Sequence, residues 1–389
     1  VDTFAPAGGV VHFASKAFCT VAMCRIAAQE GLGLDAVSGG ELYTARSAGF
    51  PMDRVTLHGN VKTVEELEMA LDYGVGRIII DSLSEIDVLQ QLAAEKGKRV
   101  GVIVRLNPGI DAHTYEAVQT ARTDCKFGLG IGDGEALNAL KRISRCPNLE
   151  LFGLHTHVGS QIFEVAPFLQ AVERLTDFSV LASVVTGVEM REAIVGGGFG
   201  VRYTADDPPS LDPRESIRAI SRTLARECAR KGIRPPKLII EPGRAIVAEA
   251  GAALYTVCAI KEIPGVRKYV SLDGGMMDNP RVALYGARYR AFVANRADER
   301  PVETVTLAGR ACESGDVFGY DFRLPRVALG DVILMPTAGA YQYSMASNYN
   351  RVPLPKVLLL HNGIADTIVE RQRYEDITRY DCLPNALKS

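Results

Sequence analysis

Lys16 is the first residue whose type and position suggest chemistry. It follows a short apolar run in the segment Val10–Phe18, VVHFASKAF, so an amine stands at the end of what is predicted to be a buried strand. A lone lysine in such a place is more often a solvated charge at a protein rim, because lysine ammonium groups avoid burial. The alternative is a positioned nucleophile, and residues later in the chain bear on that choice.

A glycine run and an acidic motif form a second candidate site. Gly196–Gly198 follow a predicted strand, and residues without side chains let backbone N–H groups close around an anion. Glu241 and Arg244, in the motif EPGR, follow the next predicted strand and add a carboxylate and a guanidinium. Taken alone, the glycines also fit a tight turn, and Glu241 with Arg244 also fits a structural ion pair.

The segment HTHVGSQ supplies two imidazoles. His155 and His157 are two residues apart, so strand alternation places both rings on one face. A metal site would need a third ligand, and no HExxH motif or acidic cluster supplies a clear one, so we expect no metal. A flat ring packed over a planar cofactor is the better use, with Ser160 available to a phosphate.

Alternating strand-like and helix-like segments organise the first two-thirds of the chain. Eight strand–helix units in about 240 residues predict a (β/α)8 TIM barrel of α/β class, with a doubly wound sheet as the main competitor. The predicted strands are Val10–Ser15, Leu34–Ser38, Val55–His58, Arg77–Asp81, Val100–Asn107, Leu149–His157, Ala193–Gly196 and Lys237–Glu241. The predicted helices include Thr63–Tyr73, Ser84–Lys96, Gly134–Ile143, Phe163–Leu181 and Pro213–Lys231.

The chemistry-bearing residues favour the barrel, because all of them lie at the C-terminal ends of predicted strands. In a barrel those ends meet at one mouth, where barrel active sites lie. Beyond Arg244 the pattern changes to strand-like runs separated by Gly, Pro and Asp turns, with little helical spacing. We therefore predict two domains, a barrel over residues 1–245 and an all-β domain, barrel- or sandwich-like, over residues 246–389.

Composition excludes several classes of function. The 389 residues carry a net charge of -2 without blocks of like charge, which argues against nucleic-acid or membrane-surface partners. No apolar run approaches membrane-spanning length and no signal peptide opens the chain, so a cytoplasmic protein is expected. The eight cysteines are scattered without CxxC pairs, as expected for reduced thiols. Because the chain starts at Val1, we expect a leading segment to be missing.

A reactive lysine, a phosphate corner, a buried carboxylate and a flat imidazole together fit pyridoxal 5'-phosphate. Its aldehyde condenses with a lysine amine, its phosphate needs a cradle, and its ring nitrogen needs an acidic partner to stay protonated. The motifs then identify a family. The chain resembles the fold-type III pyridoxal-phosphate decarboxylases, and among them the diaminopimelate decarboxylases, through FASKAF, DAVSGGEL, HGNVK, KFGL, HTHVGSQ, GGGFG, EPGRAI, DGGMMDNPR, ALYGARY, CESGD and GAYQYS.

The resemblance implies a role for each matching residue. Lys16 would bond covalently to the cofactor, His157 would stack on its ring, and Glu241 would pair with its ring nitrogen. Asp35 and His58 would lie close behind. The phosphate would be bound by Ser160, Gly196, Gly197, Gly198, Gly243, Arg244 and Tyr341.

The resemblance also implies the substrate and the assembly. Arg244, Arg281, Tyr285 and Tyr341 would contact meso-diaminopimelate, with the arginines gripping its distal carboxylate, and Glu313 would meet its distal ammonium group. Cys312, in CESGD, would protonate the α-carbon after carbon dioxide leaves. In the family that segment reaches a second subunit, so a homodimer with shared sites is implied, and the activity would be the last step of lysine biosynthesis.

Two other enzyme readings remain open from the sequence. The same scaffold could decarboxylate lysine, ornithine, arginine or a carrier-bound analogue. Alanine racemases share the barrel but have no CESGD segment and use a tyrosine base. A different class of protein, a cofactor-free regulatory homologue, tends to lose the lysine or the phosphate residues, and this chain retains both.

Overall fold

The computed structural model describes residues 9–109 and 125–387. The chain divides into two compact units, Val1–Val247 and Ala248–Ser389. Each unit has its own sheet system and is described separately below.

The first unit is a closed parallel barrel. Its eight strands follow one another around the barrel in chain order, and pairing of the fourth strand with the fifth closes it, so the doubly wound alternative is wrong. A two-residue strand, Leu129–Gly130, is added beside the fifth barrel strand. The strands of this unit are β1 Val10–Ala14, β2 Gly33–Ala36, β3 Val55–Leu57, β4 Arg77–Ile80, β5 Val100–Asn107, β6 Leu129–Gly130, β7 Leu149–His155, β8 Glu192–Ile194 and β9 Lys237–Ile240.

The helices on the outside of the barrel begin and end where the sequence supplies caps. In α3, Thr63 and Glu66 form a capping box, and Gly74 ends the helix with a positive φ of 71°. In α7, the side chain of Asp212 accepts two backbone N–H bonds at the first turn. The helices are α1 Val21–Gln29, α2 Gly39–Ser47, α3 Val64–Tyr73, α4 Leu83–Glu95, α5 Glu135–Ile143, α6 Ala166–Thr186, α7 Pro213–Lys231 and α8 Arg244–Val247.

The predicted boundaries hold to within a few residues. The strand predicted to reach His157 ends at His155, and the one predicted to reach Gly196 ends at Ile194. The helix predicted over Phe163–Leu181 instead spans Ala166–Thr186.

The barrel interior contains a cluster of four isoleucines and a largely buried ion pair. Ile79, Ile103, Ile194 and Ile239 are fully buried and pack together. The pair joins Arg77 of β4 to Glu192 of β8, with Arg77 Nε 2.5 Å and Nη2 2.6 Å from the two carboxylate oxygens. Both side chains are largely buried, with 12% and 9% of their surfaces exposed. The bidentate geometry satisfies both groups where water is scarce.

Removal of one partner of this pair should be strongly destabilising. Glu192→Ala leaves a buried guanidinium uncompensated, and we expect a loss of about 3–5 kcal/mol in the free energy of unfolding. Denaturant titration of the purified protein measures it. The matched control is Glu150→Ala, which removes the exposed Arg191–Glu150 pair of 2.7 Å and should cost about 1 kcal/mol or less. Equal losses of unfolding free energy in the two variants would contradict a special contribution of the buried Arg77–Glu192 pair.

The second unit contains a six-stranded sheet and a separate hairpin. The strands of the sheet have the spatial order β12-β15-β10-β11-β13-β14. In chain order they are β10 Ala252–Ile263, β11 Arg267–Leu272, β12 Phe292–Val293, β13 Glu303–Ala308, β14 Val317–Leu324 and β15 Val332–Pro336. The hairpin is β16 Val357–His361 with β17 Ile364–Val369. Two short helices, α9 Arg281–Tyr285 and α10 Tyr374–Thr378, interrupt the all-β pattern.

The core of this unit is apolar and continuous. Val270, Leu307, Ile333 and Met335 are almost completely buried and pack with their neighbours from the other strands. The sequence did not predict β12 or β14. The first has only two residues, and the second contains Gly319 and an irregular register against β13.

Candidate active site

Lys16 lies in a single turn of 3-10 helix, Ser15–Ala17, directly after β1. Two neighbours hold this turn. Ser15 Oγ donates to the Asp35 carbonyl at 2.7 Å, and the backbone N–H of Ala14 donates to the Pro242 carbonyl at 3.2 Å. Ser15 is buried while Lys16 is exposed, so the structure presents the amine from a fixed turn at the C-terminal end of β1.

Gly243 packs closely against this turn. A Cβ at that position would lie 3.0 Å from both the Ala14 carbonyl oxygen and the Ala17 Cβ. The EPGR motif therefore packs directly against the lysine turn. The structure thus brings together the ends of β1 and β9, as the sequence predicted.

A cluster of two histidines and two acids lies at the same end of the barrel. His155 Nε2 lies 3.1 Å from Glu241 Oε2, and His58 Nε2 lies 3.0 Å from Glu241 Oε1 and 2.5 Å from Asp35 Oδ1. All four side chains are buried, with at most 8% of each exposed. Neither His58 contact has hydrogen-bond geometry, so both are close contacts between ionisable groups rather than hydrogen bonds.

The cluster sets the charge of each member. Burial lowers the pKa of His58, but the charges of Asp35 and Glu241 outweigh it and raise the pKa to about 9. Burial raises the pKa of Glu241, yet His58 and His155 together hold it well below its usual value. His155 has a pKa lowered to about 4, chiefly by burial. Glu241 is therefore an ionised carboxylate, which is the form that can pair with a protonated ring nitrogen.

These residues fit a pyridine ring nitrogen. Glu241 Oε1 is buried and, among the described residues, has no hydrogen bond of acceptable geometry. Buried acceptors without a donor are costly, so a ring N–H at this oxygen would satisfy it. The fit supports the predicted role of Glu241 from an observation independent of sequence motifs.

His157 lies just beyond β7, beside the glycine run. Its Nδ1 accepts a bond from the Gly197 N–H at 3.3 Å. Burial, followed by the positive charges of Lys16 and Arg105, lowers the pKa of His157 well below its usual value. A neutral flat ring is thus held at the mouth of the barrel, near the charge of Lys16.

Close backbone approaches explain the glycine run. A Cβ at Gly197 would lie 2.0 Å from the Glu241 carbonyl oxygen, and one at Gly198 would lie 2.0 Å from the Gly159 carbonyl oxygen. Gly196 and Gly198 also have positive φ angles of 73° and 99°. Side chains are therefore excluded at these positions by the close approach of the neighbouring loops.

Arg244 is buried and joins this corner to a residue that the sequence did not single out. Its Nη2 donates to Ser160 Oγ at 3.1 Å, and its Nη1 donates to Tyr203 Oη at 2.8 Å. Tyr203 lies five residues after Gly198, the last residue of the glycine run, but no motif or periodicity marked it. Ser160, Arg244 and the glycines are thus neighbours, as predicted.

The structure groups His155 with two other possible metal-ligating side chains, neither of which is His157. Ligand atoms of His58, His155 and Glu241 all lie within 4.8 Å of one another, and all three residues are buried. The sequence argument paired His155 with His157, whereas the structure pairs it with His58 from another strand end. These are the groups that surround the predicted ring-nitrogen position, so we assign them to that site.

The remaining predicted residues belong to the second unit. Arg281 begins α9 and is buried, with Nη1 donating to Tyr289 Oη at 2.5 Å. Tyr285 ends the same helix. Cys312 and Glu313 are exposed in the turn between β13 and β14, and Tyr341 has a positive φ of 59°.

Asp316 holds the turn that carries Cys312. Its carboxylate accepts the N–H of Ala311 and the N–H of Met276, each at 2.7 Å, and is 5% exposed. The N–H of Cys312 donates to Asn350 Oδ1 at 2.8 Å. Asp316 is the last residue of CESGD, so the motif was visible in the sequence, but its bonding role was not.

Comparison with known proteins identifies the class. Residues 3–248 match the family model of the pyridoxal-dependent decarboxylases, pyridoxal binding domain. The barrel fold and the site described above therefore define a pyridoxal-phosphate protein of the decarboxylase class.

Individual relatives narrow the class to one family. The chain is 45% identical over 379 residues to the diaminopimelate decarboxylase of Bacillus subtilis (strain 168), covering 95% of this chain and 84% of that protein. It is 43% identical to the diaminopimelate decarboxylase of Synechocystis, covering 99% and 82%. The crystal structure of diaminopimelate decarboxylase from M. jannaschii with L-lysine matches with a TM-score of 0.90 and 35% identity, covering 97% and 86%. The chain belongs to the diaminopimelate decarboxylase family, which confirms the predicted resemblance.

No helix within residues 9–109 and 125–387 combines the length and apolar character needed to cross a membrane.

Proposed function

We propose that this protein decarboxylates meso-2,6-diaminopimelate to L-lysine and carbon dioxide, the last step of lysine biosynthesis. The observation that carries the proposal is the near-complete match to proteins named diaminopimelate decarboxylase, at 45% identity over 95% of the chain. The ionised, buried Glu241 and the exposed Lys16, both at the C-terminal ends of barrel strands, support it, because these are the groups that pyridoxal chemistry requires.

In this proposal the barrel residues bind and orient the cofactor. Lys16 supplies the amine for its covalent attachment, Glu241 keeps its ring nitrogen protonated, and His157 packs against its ring. The phosphate is bound by Ser160, Arg244, Gly243 and the backbone of Gly196, Gly197 and Gly198 in the barrel, and by Tyr341 of the second unit. When bound, pyridoxal phosphate supplies an electron sink for the bond that breaks at the substrate α-carbon.

Asp35 and His58 act on the cofactor through Glu241. Both contact the cluster at 3.0 Å or less, and the raised pKa of His58 keeps its ring cationic at neutral pH. A cation between two carboxylates stabilises the ionised form of Glu241. Their proposed role is to hold that charge in place.

Four side chains supply the substrate specificity in this proposal. Arg281, Arg244 and Tyr285 bind the distal carboxylate and Glu313 binds the distal ammonium group. A guanidinium left without its carboxylate is costly, and discrimination through unpaired polar groups reaches about ten-thousandfold. Substrates with a plain amine tail, such as lysine or ornithine, should therefore be poor.

Cys312 donates the proton that replaces the carboxyl group. Its thiol is exposed on a turn that Asp316 and Asn350 hold in place, which suits delivery to the site of a second copy. We propose a cytoplasmic homodimer with shared sites, in which residues 1–245 bind the cofactor and residues 246–389 supply substrate and dimer contacts. Sedimentation analysis of the loaded protein tests the dimer.

A substrate panel tests the activity. Purified protein with pyridoxal phosphate is assayed for carbon dioxide release from meso-diaminopimelate, lysine, ornithine and arginine. We expect meso-diaminopimelate to be turned over at least about a thousandfold more efficiently than the others. Faster turnover of lysine, ornithine or arginine would point to another amino-acid decarboxylase. Protein that binds no cofactor would point to a regulatory homologue.

A further inference from the structure

Lys62 is a buried lysine outside the cofactor-contacting residues named above. Only 1% of its side chain is exposed. Its Nζ donates to the Gly59 carbonyl at 2.8 Å, to the Ile79 carbonyl at 2.6 Å and to Glu85 Oε1 at 2.5 Å. An ammonium group has three protons, so these three acceptors use all of them.

The three acceptors belong to separate segments. Gly59 immediately follows His58 and has a φ of 118°, a conformation that disfavours side chains. Ile79 lies in β4, and Glu85 lies in the first turn of α4. One side chain therefore fastens the turn after β3 to the next strand and the next helix.

The His58 backbone is held from the other side. Its N–H donates to the Ala36 carbonyl, at the end of β2, at 2.7 Å. With Lys62 holding Gly59, the residue is fixed on both sides of its Cα. These two anchors fix the backbone from which the imidazole reaches Glu241 at 3.0 Å.

The Lys62–Glu85 pair is the first link in a chain of contacts along the mouth of the barrel. Glu85 Oε2 accepts the Asp81 N–H at 3.0 Å. The Asp81 carboxylate accepts the Gly128 N–H at 2.7 Å and lies 3.3 Å from Arg105 Nη1. Buried charges persist when each has a partner, and every link of this chain does.

We propose that Lys62 is a positioning residue for the cofactor: by fixing the turn after β3 it holds His58 against Glu241, and so sets the affinity for pyridoxal phosphate. The proposal rests on the proposed role of Glu241 at the ring nitrogen. Lys62 acts through His58 and contacts neither cofactor nor substrate in this account.

Lys62→Met tests the proposal, since methionine keeps much of the length and removes the charge. Cofactor affinity is measured by adding pyridoxal phosphate to the cofactor-stripped full-length protein, at a temperature at which circular dichroism shows it folded. We expect the dissociation constant to rise by about ten- to a hundredfold, because small displacements in such sites have effects of that size. The visible absorbance of the loaded variant should also shift.

The matched control is Lys96→Met. Lys96 pairs with Asp72 at 2.9 Å on the surface, and both side chains are partly or largely exposed. The control should bind the cofactor with wild-type affinity. Lys62→Met with wild-type affinity and spectrum, but lower thermal stability, would show a purely structural lysine and overturn the proposal.

Glu85→Gln covers the case in which Lys62→Met does not fold. It keeps the shape of the side chain and both carbonyl contacts of Lys62, but removes the counter-charge. We expect a smaller rise in the dissociation constant, of about threefold to tenfold; an unchanged constant would overturn the proposal. Wild-type protein that fails to bind pyridoxal phosphate would instead contradict the proposed function.

Discussion

Replacing Lys16 with alanine is expected to abolish both covalent cofactor attachment and carbon dioxide release from meso-diaminopimelate. The amine stands on a turn fixed by Ser15 and Ala14, and alanine at this position has no amine to condense with the cofactor aldehyde. Loss of the attaching residue of a covalent catalyst typically lowers the rate by at least about a thousandfold. Carbon dioxide release and borohydride-bleachable visible absorbance are the two measurements.

The control for this variant is Lys96→Ala, which removes an amine from the surface and should leave both signals unchanged. Because Lys16 is exposed, the alanine variant should unfold at nearly the wild-type denaturant concentration. A folded Lys16→Ala protein that retains bleachable absorbance would show that another lysine carries the cofactor, and the proposed site would be wrong.

Glu241→Gln is expected to have the second largest effect. The amide has the same shape but no charge, so it cannot hold a proton on a ring nitrogen. We expect kcat to fall by about a hundredfold or more while KM changes much less, because the lost charge matters mainly in the transition state. Steady-state kinetics with meso-diaminopimelate measure both constants.

The same variant reports on the histidines. Asp35 and Glu241 together raise the pKa of His58 to about 9, so removing one carboxylate should lower that pKa. NMR titration of the imidazole measures the shift. Glu249→Gln, at an exposed acid, is the matched control and should match wild type in both assays. Unchanged kcat in Glu241→Gln would remove the carboxylate from the proposed chemistry.

Much of the barrel was predictable because its signals are local. The strand predicted over Val100–Asn107 and the helix predicted over Pro213–Lys231 have the bounds observed. A run of β-branched residues defines the first, and an aspartate cap with a terminal glycine defines the second. Since parallel strands in a barrel end at one mouth, the prediction also grouped Lys16, His155 and Glu241 correctly.

The missed elements lack such signals. Phe292–Val293 is a strand only because β15 pairs with it. Val317–Leu324 contains a glycine and irregular register against β13, which break the alternation that marks a strand. The hydrogen bond from Arg244 to Tyr203 could not be predicted either, because it joins residues 41 positions apart without a shared motif.

Sequence alone determined which residues could do chemistry, the order of the barrel strands and the end of each strand that carries the site. These follow from residue type, period and chain direction, which are properties of short segments. Only the tertiary structure decided that His58 is the cation beside Glu241, that Arg77 closes on Glu192, and that Lys62 fastens the turn after β3. Charge state and pairing depend on distances of about 3 Å between groups far apart in the chain, and folding alone sets those distances.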